Sequence, residues 1–282
     1  MTEPQWTLVV DQRGVTIASD RFQFTTTGTR PANGELDFEQ QAAMNSAESS
    51  YMEAVVAQLQ TMTRRNYGQF CGLGRAMEVV GERWTMLFIR DLIGRPKSLE
   101  ELQKGFPAVA PDIVTARMKE LEQYAVVKQV PEDDGVTRYR LTAFGRELEE
   151  SVIPLGRWGS RLLGNPRPED VATIDSVRMA FLTMFRADAA AGLTVSFQLN
   201  LEDDMVVHAK VNDGKVETGA GPLAGVDLVL DDPGPALMPL LTGELTAAEA
   251  YETGSVKVIG DPALLATFTE VFQIAPMPVD QD

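Results

Sequence analysis

Between Cys71 and Trp158 the chain sets out a series of helix signals and then a two-stranded hairpin, in an order that few folds accommodate. An apolar-periodic stretch predicts an amphipathic helix over residues 73–93, ended by Gly94. Ser98, followed three places on by Glu101, is a capping box and starts a second, short helix. Pro111, with Ala110 in the cap position, suits the first turn of a third. Two strand-like runs follow, Val126 to Val130 and Val136 to Leu141, joined through Pro131-Glu132-Asp133-Asp134-Gly135, where Asp-Gly is a hairpin signal. A helix from Ala143 to about Leu163 closes the segment, and Asn165-Pro166-Arg167-Pro168 reads as a linker.

Helical phase divides the third helix into two faces. Val114, Met118 and Leu121 share one, while Asp112, Thr115, Ala116, Lys119 and Gln123 share the other, with Arg117 at the margin. Helices in this order, the third with one free side, and then a hairpin make a winged helix-turn-helix. Such a module carries one helix into a DNA groove while the wing reaches the backbone.

The whole-chain charge of −16 argues against a polyanionic partner, but it is unevenly spread. Residues 65–165 hold 15 Lys and Arg against 14 Asp and Glu, whereas residues 166–282 hold 6 against 19. The excess acid therefore lies outside the DNA module, a split expected of a module joined to something else. One cysteine excludes an internal disulfide, and the lone His208 excludes a multi-histidine metal site. No apolar run approaches the ~20 residues of a membrane span, and the polar start is no signal peptide. A reducing cytoplasm is the simplest setting, with no membrane partner.

The module resembles the HxlR family of winged-helix regulators. The resemblance rests on Cys71, Glu82-Arg83-Trp84-Thr85 with Leu87, and Ile89-Arg90-Asp91-Leu92 before a Gly-x-Pro turn. It continues through Leu99-x-x-Leu102, Thr115-x-Arg117-Met118-Lys119-x-Leu121, Tyr139-x-Leu141-Thr142-x-x-Gly145 and Leu155-x-x-Trp158. It implies a homodimer on double-stranded DNA, paired through helices flanking the module, here the one from Ala143. The candidate DNA-binding residues are Ser98, Thr115, Arg117 and Lys119 on the helices and Arg138 and Arg140 on the wing. Arg117 is as well suited to bracing the fold. Asp112, Ala125 in place of the family's glycine, and the acidic tip Glu132-Asp133-Asp134 depart from the pattern. Cys71 stands where some relatives carry a redox-sensing thiol; the alternative is a small buried thiol. Without a second cysteine it could only be capped or cross-linked to another subunit.

Residues 1–64 form an N-terminal extension. Trp6 to Val10 and Val15 to Thr27 have strand composition around a turn at residues 11–14, and Leu36 to about Arg64 favours a long packing or dimerisation helix. Residues 166–282 alternate helix and strand signals. A helix is predicted over 171–190, strands over 194–201, 205–211 and 226–230, helices from about Pro235 and from Thr246, a strand over 255–259, and a last helix to about Phe272.

This half resembles the sterol carrier protein 2 (SCP2-like) domain. The resemblance rests on Gly243-x-Leu245-Thr246-x-x-Glu249-Ala250, on Gly254-x-Val256-x-Val258-x-Gly260-Asp261, and on the helix from Leu264 to Phe268. It implies an apolar tunnel for a hydrophobic small molecule, with Phe181, Phe185, Phe197, Met205, Met238, Leu241, Phe268 and Phe272 as candidate lining; the alternative is that they fill a core. The expected architecture is thus α+β and multidomain: extension, winged helix-turn-helix, and α/β ligand domain. The expected function is ligand-responsive transcriptional regulation without a cofactor. The alternative is a protein that sequesters a hydrophobic drug or metabolite on a winged-helix scaffold. No nucleophile elbow, phosphate loop or metal-ligand cluster speaks for an enzyme, and His208 falls on the side of its strand away from the apolar run.

Overall fold

The computed structural model describes residues 7–11, 14–18 and 23–26 as backbone, and 66–278 in full apart from 133, 165, 168 and 169. The chain divides into two units, Met1–Glu78 and Val79–Asp282. In the first, β1 (Thr7–Asp11), β2 (Gly14–Ala18) and β3 (Gln23–Thr26) form an antiparallel meander, with Asp11 opposite Gly14. The single run expected over residues 15–27 is therefore two paired strands, β2 and β3. The long helix expected over 36–64 lies outside the described residues.

The helix expected over 73–93 is two helices, α1 (Gly72–Val80) and α2 (Thr85–Gly94). Gly81 marks the break, but Trp84 makes it, adopting a left-handed backbone with φ +79°. No composition signal announces a bulky residue there. Burial explains why it is held: Phe88 stacks edge-on against Phe106 at 4.8 Å, and Trp84 approaches the same ring at 6.3 Å.

Next come α3 (Leu99–Gly105), α4 (Pro111–Gln123), and the paired strands β4 (Val127–Pro131) and β5 (Thr137–Leu141). The helix expected over 143–163 is also two, α5 (Ala143–Arg146) and α6 (Glu149–Ser160). Gly145 sits so close to the wing that a Cβ there would lie 1.9 Å from the Val126 carbonyl oxygen, and the chain re-aims after that contact. Phe88, Ile89, Leu102, Met118, Leu121, Val126, Tyr139 and Leu141 form the buried core of this part.

After it, α7 (Ile174–Met184) leads to a five-stranded sheet of order β10-β9-β6-β7-β8. Its strands are β6 (Thr194–Asn200), β7 (Val206–Asn212), β8 (Lys215–Ala220), β9 (Leu228–Asp231) and β10 (Lys257–Gly260). Only the β6–β9 pairing is parallel. Asp213 and Gly214 join β7 to β8 with φ of +45° and +72°, the two left-handed residues of a twist-matched two-residue hairpin. Helices α8 (Leu237–Thr242), α9 (Ala247–Glu252) and α10 (Leu264–Val271) cover one face of the sheet.

The helix α7 serves both cores. Met179 and Leu182 belong to the winged-helix core, while Phe181, Met184, Val177 and Ala180 belong to the sheet core. Gly156 of α6 lets the two helices close up, since a Cβ there would meet Thr183 Cγ2 at 2.6 Å. Residues 79–282 accordingly form one unit across the linker expected at 165–168. No helix among the described residues is long and apolar enough to cross a membrane.

Candidate nucleic-acid interface

The helix α3 is fixed by side chains at both ends. Ser98 Oγ accepts the Glu101 amide at 3.1 Å, and the Glu101 carboxylate accepts the Ser98 amide at 2.8 Å, so two of the orphan donors of α3 are satisfied. Gln103 donates from Nε2 to the carbonyls of Phe106 at 3.2 Å and Val109 at 2.6 Å, tying the connecting loop. On α4, Val114, Met118 and Leu121 are buried, and Asp112, Ala116, Lys119 and Gln123 are exposed. The phase read from the sequence is the phase observed.

Of the residues assigned to DNA, Lys119 and Arg140 are exposed and Thr115 is half-buried. Thr115 donates its hydroxyl back to the Pro111 carbonyl at 3.0 Å. Ser98 is occupied by its cap. Arg117 is mostly buried and ion-paired with Glu120 and, at 3.7 Å, with Glu82. Its geometry is that of a brace between α4 and the loop before α2.

Arg138 forms a two-pronged pair with Asp134 at 3.0 and 2.6 Å and lies 3.6 Å from Glu101. The Arg138 guanidinium, aided by the Val136 amide, holds the Asp134 carboxyl at a pKa of about 2. The wing hairpin is thus closed by a salt bridge across its own tip. Lys128 and Arg140 are cross-strand neighbours on the exposed side of the wing.

Sequence reasoning gave no warning of a buried charge cluster behind the module. Asp91 on α2 is fully buried and accepts from Arg90 Nε at 2.8 Å and Nη2 at 2.7 Å. Lys97, also buried, lies 3.6 Å from Asp91 and bonds to Asp175 on α7. Burial pushes the Asp91 carboxyl above its ordinary range, against the pull of Arg90 and Lys97. Lys97 is also bridged to the wing, exchanging backbone bonds with Tyr139 at 2.9 and 2.7 Å. The partners are 78 residues apart in sequence, which is why no local pattern reveals them.

In the C-terminal part, Phe181, Phe197, Phe268 and Phe272 pack ring to ring with centroids 4.9–6.4 Å apart, and Phe185 sits 5.9 Å from Phe272. Leu241 is buried in the same cluster, and Met205 and Met238 lie half-buried at its margin. His208 is half-buried on the opposite sheet face, its Nδ1 2.8 Å from the Gly221 carbonyl oxygen, over the bare Cα of Gly219. Cys71 is exposed, which corrects the buried-thiol alternative; its Sγ accepts the Gly74 amide at 3.1 Å at the start of α1. The neighbouring Arg75 is paired with Glu78 at 2.7 Å. Among the described residues no group of His, Cys, Asp and Glu is placed to hold a metal ion.

Residues 79–166 match the model of the HxlR-like helix-turn-helix family. An uncharacterized HTH-type transcriptional regulator of Mycobacterium tuberculosis is 34% identical over 99 residues, 34% of this chain and 61% of its own length. The chain thus spans about three fifths of that relative. The HTH-type transcriptional regulator YodB of Bacillus subtilis is 30% identical over 88 residues, 30% of this chain and 79% of its own. The solved reduced form of YodB is 26% identical, covering 35% of this chain and all of that one, with a TM-score of 0.30. Through its winged helix-turn-helix, this chain belongs to the HxlR-like helix-turn-helix family.

Proposed function

We propose that the protein is a ligand-responsive transcriptional regulator that binds double-stranded DNA as a homodimer. The observation that carries this reading is α4: three side chains lock one face into the core, and the opposite face, with Lys119 and Gln123, is left exposed. Its curated relatives are HTH-type regulators, which supports DNA as the partner. Dimerisation is supported by an apolar stripe left exposed among the described residues. Leu155 and Trp158 on α6 and Leu162 just beyond are 53%, 60% and 60% exposed, at spacings that put them on one side.

The effector in this reading is a hydrophobic small molecule held in an SCP2-like C-terminal domain. The aromatic cluster with Met205 and Met238 at its margin supports it, because thioether side chains can swing aside where rings cannot. Shared by both cores, α7 offers the route by which occupancy there alters the winged helix. Cys71, exposed at the start of α1, is a second input open to oxidants.

The sequestering alternative draws on one specific observation. Two of the cations assigned to DNA, Arg117 and Arg138, are already engaged by carboxylates. Fluorescence polarisation on the promoter DNA flanking the protein's own coding sequence, titrated with salt, separates the two. The regulator gives saturable binding whose logarithm falls steeply with log salt, by about 0.9 per phosphate neutralised. Binding no tighter than to random DNA at low salt leaves only the sequestering reading.

A further inference from the structure

Between the C-terminal end of α2, the first turn of α7 and the edge strand β8 lies a cleft of about 280 Å³, lined by Gly94, Arg95, Ile174, Asp175, Arg178 and Ala220. That is just below the roughly 300–1,000 Å³ of drug-sized sites and suits a ligand built on a single ring. The charges around it do not cancel. Arg90 is matched by Asp91 and Lys97 by Asp175, while Arg95 is paired with Glu101 at 2.7 Å. Among the described residues around the cleft, Arg178 is left with only a share of Asp175. It reaches Asp175 only at 3.5 Å and donates from Nη2 to the Thr218 carbonyl at 3.2 Å, and its Nε is buried without an acceptor.

A guanidinium that is mostly shielded from water and has one carboxylate, at 3.5 Å and shared with Lys97, is incompletely compensated, so a second anion beside it is favoured. Gly94 sets its position at the cleft wall. A Cβ on Gly94 would lie 2.0 Å from Arg178 Nη1, so the bare glycine makes room for the guanidinium. Ile174 and Ala220 supply apolar walls beside the charge.

We propose that this cleft binds a small organic carboxylate with a compact apolar body, its carboxylate on Arg178. The site is separate from the aromatic cluster of the sheet core, and binding there does not require that the protein bind DNA. A carboxylate on Arg178 takes over the contact now made by Asp175, whose other partner, Lys97, is bridged to the wing strand. An occupant is therefore linked to the wing through Arg178, Asp175 and Lys97.

Calorimetric titration of the full chain with benzoate tests the proposal, with benzamide as the uncharged match. The expected result is saturable one-to-one benzoate binding, no saturable benzamide binding, and at least a tenfold loss of affinity in Arg178→Gln. Ala220→Phe, an exposed position that keeps the arginine but fills the cleft, loses binding equally while circular dichroism stays unchanged. No saturable benzoate binding to the unmodified chain, equal binding of benzamide, or benzoate affinity retained in either variant overturns the proposal.

Discussion

Ala125 and Asp134 show how single residues of the module are set by their surroundings. Ala125 ends the connection from α4 to the wing with φ +54°, a left-handed backbone that costs an L-residue roughly 1–2 kcal/mol. Its methyl is buried, and removing it gives back about 0.8 kcal/mol of that relief. Ala125→Gly is therefore expected to stabilise the chain by about 0.5–1 kcal/mol in urea unfolding, the glycine carrying no left-handed penalty. The departure at this position was legible in the sequence; the backbone conformation that gives it meaning was not. Asp134 yields a pH prediction. Its folded pKa is depressed by Arg138, so the stability it contributes is full above the ordinary carboxylate value of 3.8 and is lost as pH falls toward about 2. The Val136 amide, bonded to Asp134 at 2.9 Å, reports it: its NMR shift should titrate with a midpoint near 2. A midpoint at the ordinary value means the tip is open in solution.

Elements were legible wherever one residue type carries the signal. The capping box at Ser98 and the proline at the start of α4 both stand where the sequence put them, because each satisfies a local backbone demand. Ser98→Ala removes the cap and is expected to cost about 1 kcal/mol, read as a lower unfolding midpoint with an unchanged denaturant slope. Two kinds of element escaped. The strand β8 reads Lys-Val-Glu-Thr-Gly-Ala, too polar to suggest a strand, because it lies at the sheet edge with only partial burial. The split of residues 73–93 depends on Trp84 being held left-handed, and that in turn rests on Phe106 beyond the next helix. The α4 face was predictable from helical period alone. That Arg117 is braced to another element was not, since Glu82 is brought to it by the fold.

At the scale of the whole molecule, the joint at α7 decides whether residues 79–282 respond together. Lys97 sits between two carboxylates, one from each side of that joint, and replacing it by methionine leaves Asp91 and Asp175 facing each other in a nearly dry site. Breaking a buried pair on one side typically costs about 3–5 kcal/mol. Lys97→Met is expected to lose that much at neutral pH. The sign of its pH dependence follows from Asp91: a carboxyl raised by burial favours the folded state below its unfolded pKa, and the benefit fades as pH rises through its folded value. Acidification should therefore narrow the gap between variant and parent, and a gap that widens on acidification means that Lys97 does not compensate Asp91.

The proposed dimer makes the last demand on the molecule. The helix-turn-helix offers one α4, and two of them must be held about one DNA turn (roughly 34 Å) apart to read a two-fold operator. The stripe at Leu155, Trp158 and Leu162 supplies exposed apolar surface on and just beyond α6, a helix that shares a core with the module. Trp158→Glu places a charge at its centre without touching the fold, since the side chain is 60% exposed. The expected outcome is a monomer in sedimentation equilibrium with unchanged circular dichroism. Its promoter affinity should fall by about a hundredfold or more, because the second half-site then binds as a separate molecule. A variant that stays dimeric moves the interface elsewhere, and one that becomes monomeric yet binds the promoter as tightly as the parent removes the dimer from the mechanism of DNA recognition.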